Sequence, residues 1–307
     1  MRELAVRPSI DTAADPSPLD RRSFLQRSAA AAAMLGASAS GARAAEDPLA
    51  WERLVEAAQR LARAPFAGDR AAPPVRAGHA VFLGEEVRVA GDPGRFGISA
   101  GIFAVGLEAD GLAERPRFRS LRVRGGADTP IVLALLDSPS AAGAARLRLA
   151  AGGRRMRIEA RLFFRTAVER LALAPCSALV EPASPTGAAV LEADRLVLAA
   201  AAGTTARPLE VPARPVLSRF PAEKLRHFGL TLEPGAAPVG ARPPSLLVEP
   251  SNDWGAGNIR LAEAPAADEF RDNVAVAFVP RRTFAAGASF AYRYALDWTA
   301  ADAPRIA

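Results

Sequence analysis

From about residue 80 onward, apolar and polar residues alternate with a period of two, the spacing of a strand with one face buried. "RMRIEARLFF" (155–164) puts Met156, Ile158, Ala160, Leu162 and Phe164 on one face and Arg155, Arg157, Glu159 and Arg161 on the other. "SFAYRYALDW" (289–298) does the same with Phe290, Tyr292, Tyr294, Leu296 and Trp298. "PIVLALLDS" (130–138) is almost continuously apolar, the pattern of a strand covered on both faces. "LLVEP" (246–250), "NIRLAEAP" (258–265) and "NVAVAFVPR" (273–281) predict three more strands. Before this body, "DPLAWERLVEAAQRLARA" (47–64) predicts the one helix: Asp47 can cap, Pro48 occupies the first helical position, and Trp51, Leu54, Val55, Ala58, Leu61 and Ala62 share a face. Many short strands, Gly/Pro/Asp turns and no second helical region give a mainly β chain, a twisted antiparallel sandwich with one N-terminal helix. No internal repeat is evident, and the Pro/Ala/Gly-rich section 181–243 is where loops are expected to concentrate.

The first 44 residues do not share this patterning and read as an export signal. Arg21 and Arg22 precede Ser-Phe-Leu, a weakly apolar Ala-rich stretch follows, and Ala42-Arg43-Ala44 is an A-x-A cleavage site, so cleavage is expected after Ala44. The stretch is too short and too rich in Ala, Ser and Gly for a transmembrane helix of roughly 20 strongly apolar residues. Paired arginines imply passage through a twin-arginine translocase and a periplasmic mature protein. The expected division is therefore a signal peptide at 1–44, helix and linker at 45–78, and the sandwich at 79–307. Cys176, the lone cysteine, has no partner for an internal disulfide and reads as a buried small hydrophobe.

With 50% hydrophobic and 23% charged residues the chain is globular and not disordered. Its net charge of +6 comes from arginines that alternate with apolar residues along strands, as in "RFRSLRVRG" (117–125). Such spacing suits a solvated sheet face, not a phosphate-tracking patch, so no nucleic-acid partner is expected. Two histidines, His79 and His227, and one cysteine leave almost no material for a metal site, a Cys/His dyad or a serine triad. No Walker loop occurs, and "GISAGIFAVG" lacks the dinucleotide-binding spacing, so no cofactor is expected.

Carboxylates, amides and indoles remain, the groups that handle sugars. Carboxylates accept hydroxyl hydrogen bonds and act as acid or base, and an indole face packs on the C–H face of a pyranose. Three loops concentrate them, bearing Asp137, then Asn252, Asp253 and Trp254, then Asp272 and Asn273. Each has a structural alternative: Asp137 can open a turn, Asn252 and Asp253 can close one with Gly255 and Gly257 supplying positive φ, and Trp254 can plug the sandwich.

Residues 244–298, "PSLLVEPSNDWGAGNIRLAEAPAADEFRDNVAVAFVPRRTFAAGASFAYRYALDW", resemble the signature region of the periplasmic glucan biosynthesis proteins of the MdoG/OpgG and OpgD family. That family carries W-V-x-P-x-x-x-W-G-x-G-x-[VI]-x-L-x-E-[IL]-P, then D-N-[IV]-V-A-[FY]-W-x-P and a closing F-x-Y-x-[LI]-x-[WF] strand. Upstream, "TPIVLALLDSPSAAGAARLRL" (129–149) is similar to its Y-A-L-L-D-S-P-S-x-T-G-A-Y-x-F segment, and "HAVFLGE" (79–85) to its F-L-G-A-S. The resemblance implies a galactose-mutarotase-like sandwich concerned with β-1,2-linked osmoregulated periplasmic glucans, which some members cleave through carboxylates. It also implies an immunoglobulin-like domain after the sandwich, for which no sequence follows the Trp298 strand here. Where relatives have H-D-S-D-G-L, this chain has "LEADRL" (191–196), keeping Asp194, and the acidic segment before R-R-P-S is reduced to "EPGAAPVGARPPS" (233–245). Three readings follow: a protein that binds β-glucan, a glucan hydrolase or transglycosylase using Asp137, Asp194 and Asp253, and a scaffold for a membrane glucosyltransferase.

Overall fold

The computed structural model describes residues 48–298 apart from 69, 79, 90–97, 127, 152–153, 181–191, 233–244 and 266–271. Arg21, Arg22, Ala44, Asp47 and His79 lie outside the described residues.

Helix α1 spans Pro48–Arg63. The strands that follow are β1 Val75–Ala77, β2 Ala80–Leu83, β3 Glu86–Val89, β4 Ser99–Ala100, β5 Phe103–Glu108, β6 Gly111–Glu114, β7 Arg117–Arg124, β8 Ile131–Asp137, β9 Ala141–Leu149 and β10 Arg155–Phe164. They continue with β11 Leu171–Ala178, β12 Arg195–Ala200, β13 Gly203–Pro208, β14 Val216–Ala222, β15 His227–Thr231, β16 Ser245–Pro250, β17 Gly257–Glu263, β18 Val274–Pro280 and β19 Ser289–Asp297. All the strand pairs are antiparallel. One sheet runs β1-β2-β3-β4-β11-β18-β17-β14 with the β5–β6 hairpin attached to β11, and the other runs β13-β12-β15-β16-β19-β10-β9-β8-β7. The expected antiparallel sandwich with one N-terminal helix is the fold observed. The section 181–243, expected to be loop-rich, contributes β12 to β15, because its strands are short and two of them lie at sheet edges, where half-polar sequence is tolerated.

The inner faces follow the period-two pattern. Met156, Ile158, Ala160, Leu162 and Phe164 of β10 are all buried, and their register against Leu296, Tyr294, Tyr292 and Phe290 of β19 sets small Ala160 beside large Tyr292. From the facing sheet, Leu171, Leu173, Cys176, Ile259, Leu261, Val276 and Phe278 complete the core. Burial raises the Cys176 thiol far above its ordinary range, so it stays protonated and inert.

The near-continuous apolar run of β8 also has its reason. Its inner residues meet the other sheet, while Leu135, with Ala144 and Phe163 from β9 and β10, lies under Trp51, Leu54, Val55 and Ala58 of α1. Arg146 stacks over the Trp51 ring at 5.0 Å.

One buried guanidinium fixes the helix end to this sheet. Arg165, at the end of β10, donates Nη2 to Leu61 O (2.7 Å), Nε to Ala64 O (3.1 Å) and Nη1 to Ser138 O, thereby satisfying carbonyls that end the helix. Its Nη2 also meets Asp137 Oδ1 at 2.6 Å, with the Arg119 Nε 3.6 Å from Oδ2. Asp137 is wholly inaccessible to solvent and the Arg165 side chain is only 8% exposed. The turn-opening role expected of Asp137 belongs to Ser138, whose Oγ donates to Ala141 O and accepts from Ala141 N. Asp137 is held by cations, and a carboxylate with strong donors in reach has no cause to bond a nearby backbone N–H. Replacing Asp137 with Asn leaves Arg165 buried without its counter-charge, and should lower the unfolding free energy by about 3–5 kcal/mol in denaturant titration.

Candidate functional site

The loop 251–256 folds back onto β19, exposed along its backbone but with the Trp254 side chain buried beneath it. Ser251 N and Trp254 Nε1 both donate to Arg293 O (2.9 and 3.3 Å), and Arg293 N donates to Asn252 Oδ1 at 2.6 Å. Asp253 Oδ1 accepts from Gly255 N at 2.8 Å, closing a turn in which Gly255 has φ +79°. Gly257 does not have positive φ; an added Cβ would lie 2.4 Å from Phe278 Cζ and 2.6 Å from Val279 O, so close packing is what requires glycine there. The Trp254 indole is 3% exposed and sits among Phe278, Tyr292 and Tyr294 with ring centroids 5.6–5.9 Å away. It is a core plug, and it offers no face to a ligand.

The other expected residues are dispersed. Asn273 is buried and structural: its Oδ1 accepts from Val180 N (2.8 Å) and its Nδ2 donates to Val180 O (2.7 Å). Asp194 precedes β12, its backbone bonded to Thr231 O and Leu209 N. In the nine-stranded sheet β12 and β8 are six strand spacings apart, on the order of 25–30 Å at about 4.8 Å each. Paired carboxylates must lie within about 10 Å to act on one glycosidic bond, so Asp137 and Asp194 are not a catalytic pair.

Asp272 alone among them joins a polar cluster, on the outer face of the ten-stranded sheet. Val87, Ala100 and Cys176 point into the core, so their neighbours Glu86, Arg88, Ser99 and Ser177 point out. Ser177 Oγ donates to Asp272 Oδ2 at 2.7 Å and lies 2.7 Å from Ser99 Oγ. An ionised carboxylate only accepts, so the hydroxyl protons run from Ser99 to Ser177 to Asp272. Arg88 donates Nε and Nη2 to Glu86 Oε2 (3.0 and 2.9 Å) and stands 3.8 Å from Asp272. Burial alone would lower the Arg88 pKa, but Glu86 and Asp272 more than offset it, so the pKa is raised and the charge is secure.

Beside this network Arg115 Nη1 reaches both Glu86 Oε1 (3.1 Å) and Glu85 Oε1 (3.4 Å). Burial pushes the Glu85 pKa above its ordinary value, and Arg115 counters this only in part. Glu85, Glu86, Arg115, Ser99 and Ser177 line a shallow hollow with about 10 Å³ of free space. That is room for about one water molecule, or for a single hydroxyl group of a larger ligand lying across it. Its wall is formed by a bulge in β11 between Leu173 and Cys176, where Ala174 adopts φ +46° and Gly101 packs against Pro175. These residues come from five distant segments, and no local pattern announces them. The one sequence signal is "FLGEE", which sets two acids where the resembling family has Ala-Ser. Among the described residues no group of three or more His, Cys, Asp and Glu is arranged to hold a metal, and no helix is long and apolar enough to cross a membrane.

The family model for the periplasmic glucan biosynthesis protein MdoG matches residues 45–306. The chain belongs to this family of periplasmic glucan biosynthesis proteins, in keeping with the periplasmic location expected from the sequence. Glucans biosynthesis protein G of Pseudomonas putida is 33% identical over 71% of this chain and 42% of its own length. Glucans biosynthesis protein D 2 of Ralstonia nicotianae is 33% identical over 71% of this chain and 45% of its own. The chain thus spans less than half the length of these relatives. Among solved structures, the α-galactosidase AgaA of Geobacillus stearothermophilus superposes with a TM-score of 0.42 at 11% identity, over 74% of this chain and 40% of that one.

Two outcomes follow from the site geometry. Trp254→Ala empties a space between Phe278, Tyr292 and Tyr294 and should cost about 3–5 kcal/mol in chemical denaturation. Glu85 has a raised folded pKa, so its contribution to stability is most favourable below the unfolded glutamate value and is lost as pH rises through the folded one. Glu85→Gln should therefore raise the melting temperature at pH 7, with the gain disappearing below about pH 4.

Proposed function

We propose that this protein serves periplasmic glucan biosynthesis by binding β-glucan on the outer face of the ten-stranded sheet, with a sugar hydroxyl group engaged at the Glu85–Arg115 hollow. The observation that carries this reading is the lining of that hollow: carboxylate acceptors from Glu85 and Glu86, guanidinium donors from Arg115, and the Ser99 and Ser177 hydroxyls on one small concave surface. Vicinal hydroxyls of a neutral sugar bind paired acceptors and donors of this kind, and the charges already neutralise one another without a metal or counter-ion. Trp254 takes no part, so recognition rests on hydrogen bonds and not on indole stacking, which favours modest affinity. Family membership supports the polymer, a β-1,2-linked glucan.

A second reading has its own support. Glu85, protonated more readily than an ordinary glutamate, shares Arg115 with Glu86, and two neighbouring carboxyls of which one holds its proton more readily suit cleavage of a glycosidic bond. Sharing one Arg115 nitrogen keeps the two carboxyls at the shorter, retaining spacing, so Glu85 would protonate the leaving oxygen while Glu86 attacks the anomeric carbon to form a glycosyl ester, which water then cleaves with Glu85 taking its proton.

Calorimetry with linear β-1,2-glucan should give a sub-millimolar dissociation constant, weakened about 5–10-fold in both Glu86→Gln and Asp272→Asn, the cost of one or two hydrogen bonds. Absence of binding at the highest soluble glucan concentration, or equal affinity in both variants, overturns the binding site. The same mixtures analysed by mass spectrometry decide the second reading: shortened chains that vanish in Glu85→Gln support cleavage, and intact chains at high protein loading exclude it.

A further inference from the structure

The other end of the same outer face carries positive charge that the fold does not use. Ile259 and Leu261 of β17 point into the core, so Arg260 between them points out. Directly opposite it on the edge strand β14 is Arg219, which sets the two Cβ atoms about 5 Å apart and makes the pair mutually repulsive. Arg260 Nε and Nη1 are shielded from water and have no hydrogen-bond acceptor. Elsewhere the enclosed arginines are met: Arg165 by three carbonyls and Asp137, Arg88 by Glu86, and Arg207 by Glu263 at 2.9 Å. Near Arg260 the field comes from Arg219, Arg170 and Glu108, and that single carboxylate is already bonded to Arg170. Removing a guanidinium from water beside another guanidinium is unfavourable unless an anion completes the site.

We propose that Arg260 and Arg219 form an oxyanion site, taking a carboxylate or phosphate group of a ligand that lies along the outer face. Arginine's planar fork matches both groups, and two forks on adjacent strands can share one anion. The neighbouring outward residues on β17 and β18 are small and apolar, Ala262 and Ala277, so they offer the Arg260 guanidinium no side-chain acceptor. The site is two strand spacings, about 10 Å, from Ser177 across the sheet. It does not depend on glucan occupying the hollow, because its donors lie on β14 and β17 and neither strand lines the hollow.

The test is thermal denaturation and calorimetry of the full chain with inorganic phosphate or succinate, each against sodium chloride at equal ionic strength. The expected result is a saturable rise of the melting temperature, at least about 4 °C at saturation, with either probe or with both. A response to phosphate alone identifies a phosphoryl ligand, and a response to succinate identifies a carboxylate. The rise should disappear in Arg260→Met and fall at least about tenfold in apparent affinity in Arg219→Met, while Arg124→Met, exposed on β7 of the other sheet, behaves as wild type. In chloride both variants should melt no lower than wild type, since each loses a like-charged neighbour and neither loses an acceptor. No specific rise with either anion, an undiminished rise in Arg260→Met, or a marked loss of stability in chloride in both variants would overturn the proposal.

Discussion

A guanidinium removed from water has five N–H donors to satisfy, and Arg165 makes four hydrogen bonds across three elements at once. It takes the last carbonyls of α1, the Ser138 carbonyl of the β8–β9 turn and the Asp137 carboxylate at the end of β8. Each acceptor would be costly to leave unmet, and together they define one position for the helix. With α1 held there, Leu135, Ala144 and Phe163 are covered and the outer face of the nine-stranded sheet is closed around the helix. The outer face of the opposite sheet carries the polar cluster around Arg88 and Asp272.

That face owes its shape to features of the core. The aromatic residues are spent inside: Phe290, Tyr292 and Tyr294 stack along β19 with centroids 5.5 and 5.8 Å apart, and Trp254 caps the row edge-on. The Tyr292 and Tyr294 hydroxyls then reach across to the carbonyls of Ile102 and Gly101 (2.7 and 3.3 Å), tying the row to the segment between β4 and β5. The same segment meets the β11 bulge through Gly101 N to Pro175 O at 2.7 Å. The bulge turns Ser177 outward toward Asp272 and Ser99. Core packing and the polar hollow are thus joined through one short stretch of backbone, and the strain at Ala174 sits at the junction. The outer face divides into an acid- and hydroxyl-bearing end and an arginine-bearing end, separated by the small side chains of β18.

The sequence by itself determined the architecture, because strand sidedness is a local property. Alternation in 155–164 and 289–298 names the inner faces residue by residue, the continuous run at 130–138 reports a strand with two covered faces, and the amphipathic stretch at 48–63 supplies the cover. Motif resemblance was equally legible, since it too is written along contiguous residues. Roles of single polar residues were not. Asp137 had a plausible turn function from its neighbours, but a cation twenty-eight positions later outcompetes the local backbone. Trp254 stood between open and plugging roles until Phe278, Tyr292, Tyr294 and the Arg293 carbonyl were in place around it. The hollow brings together residues from 85, 99, 115 and 177, and the arginine pair joins 219 to 260, so both exist only through strand order and register. Burial and electrostatics act through space, and they decide what a charged or aromatic side chain does only after the chain has been folded.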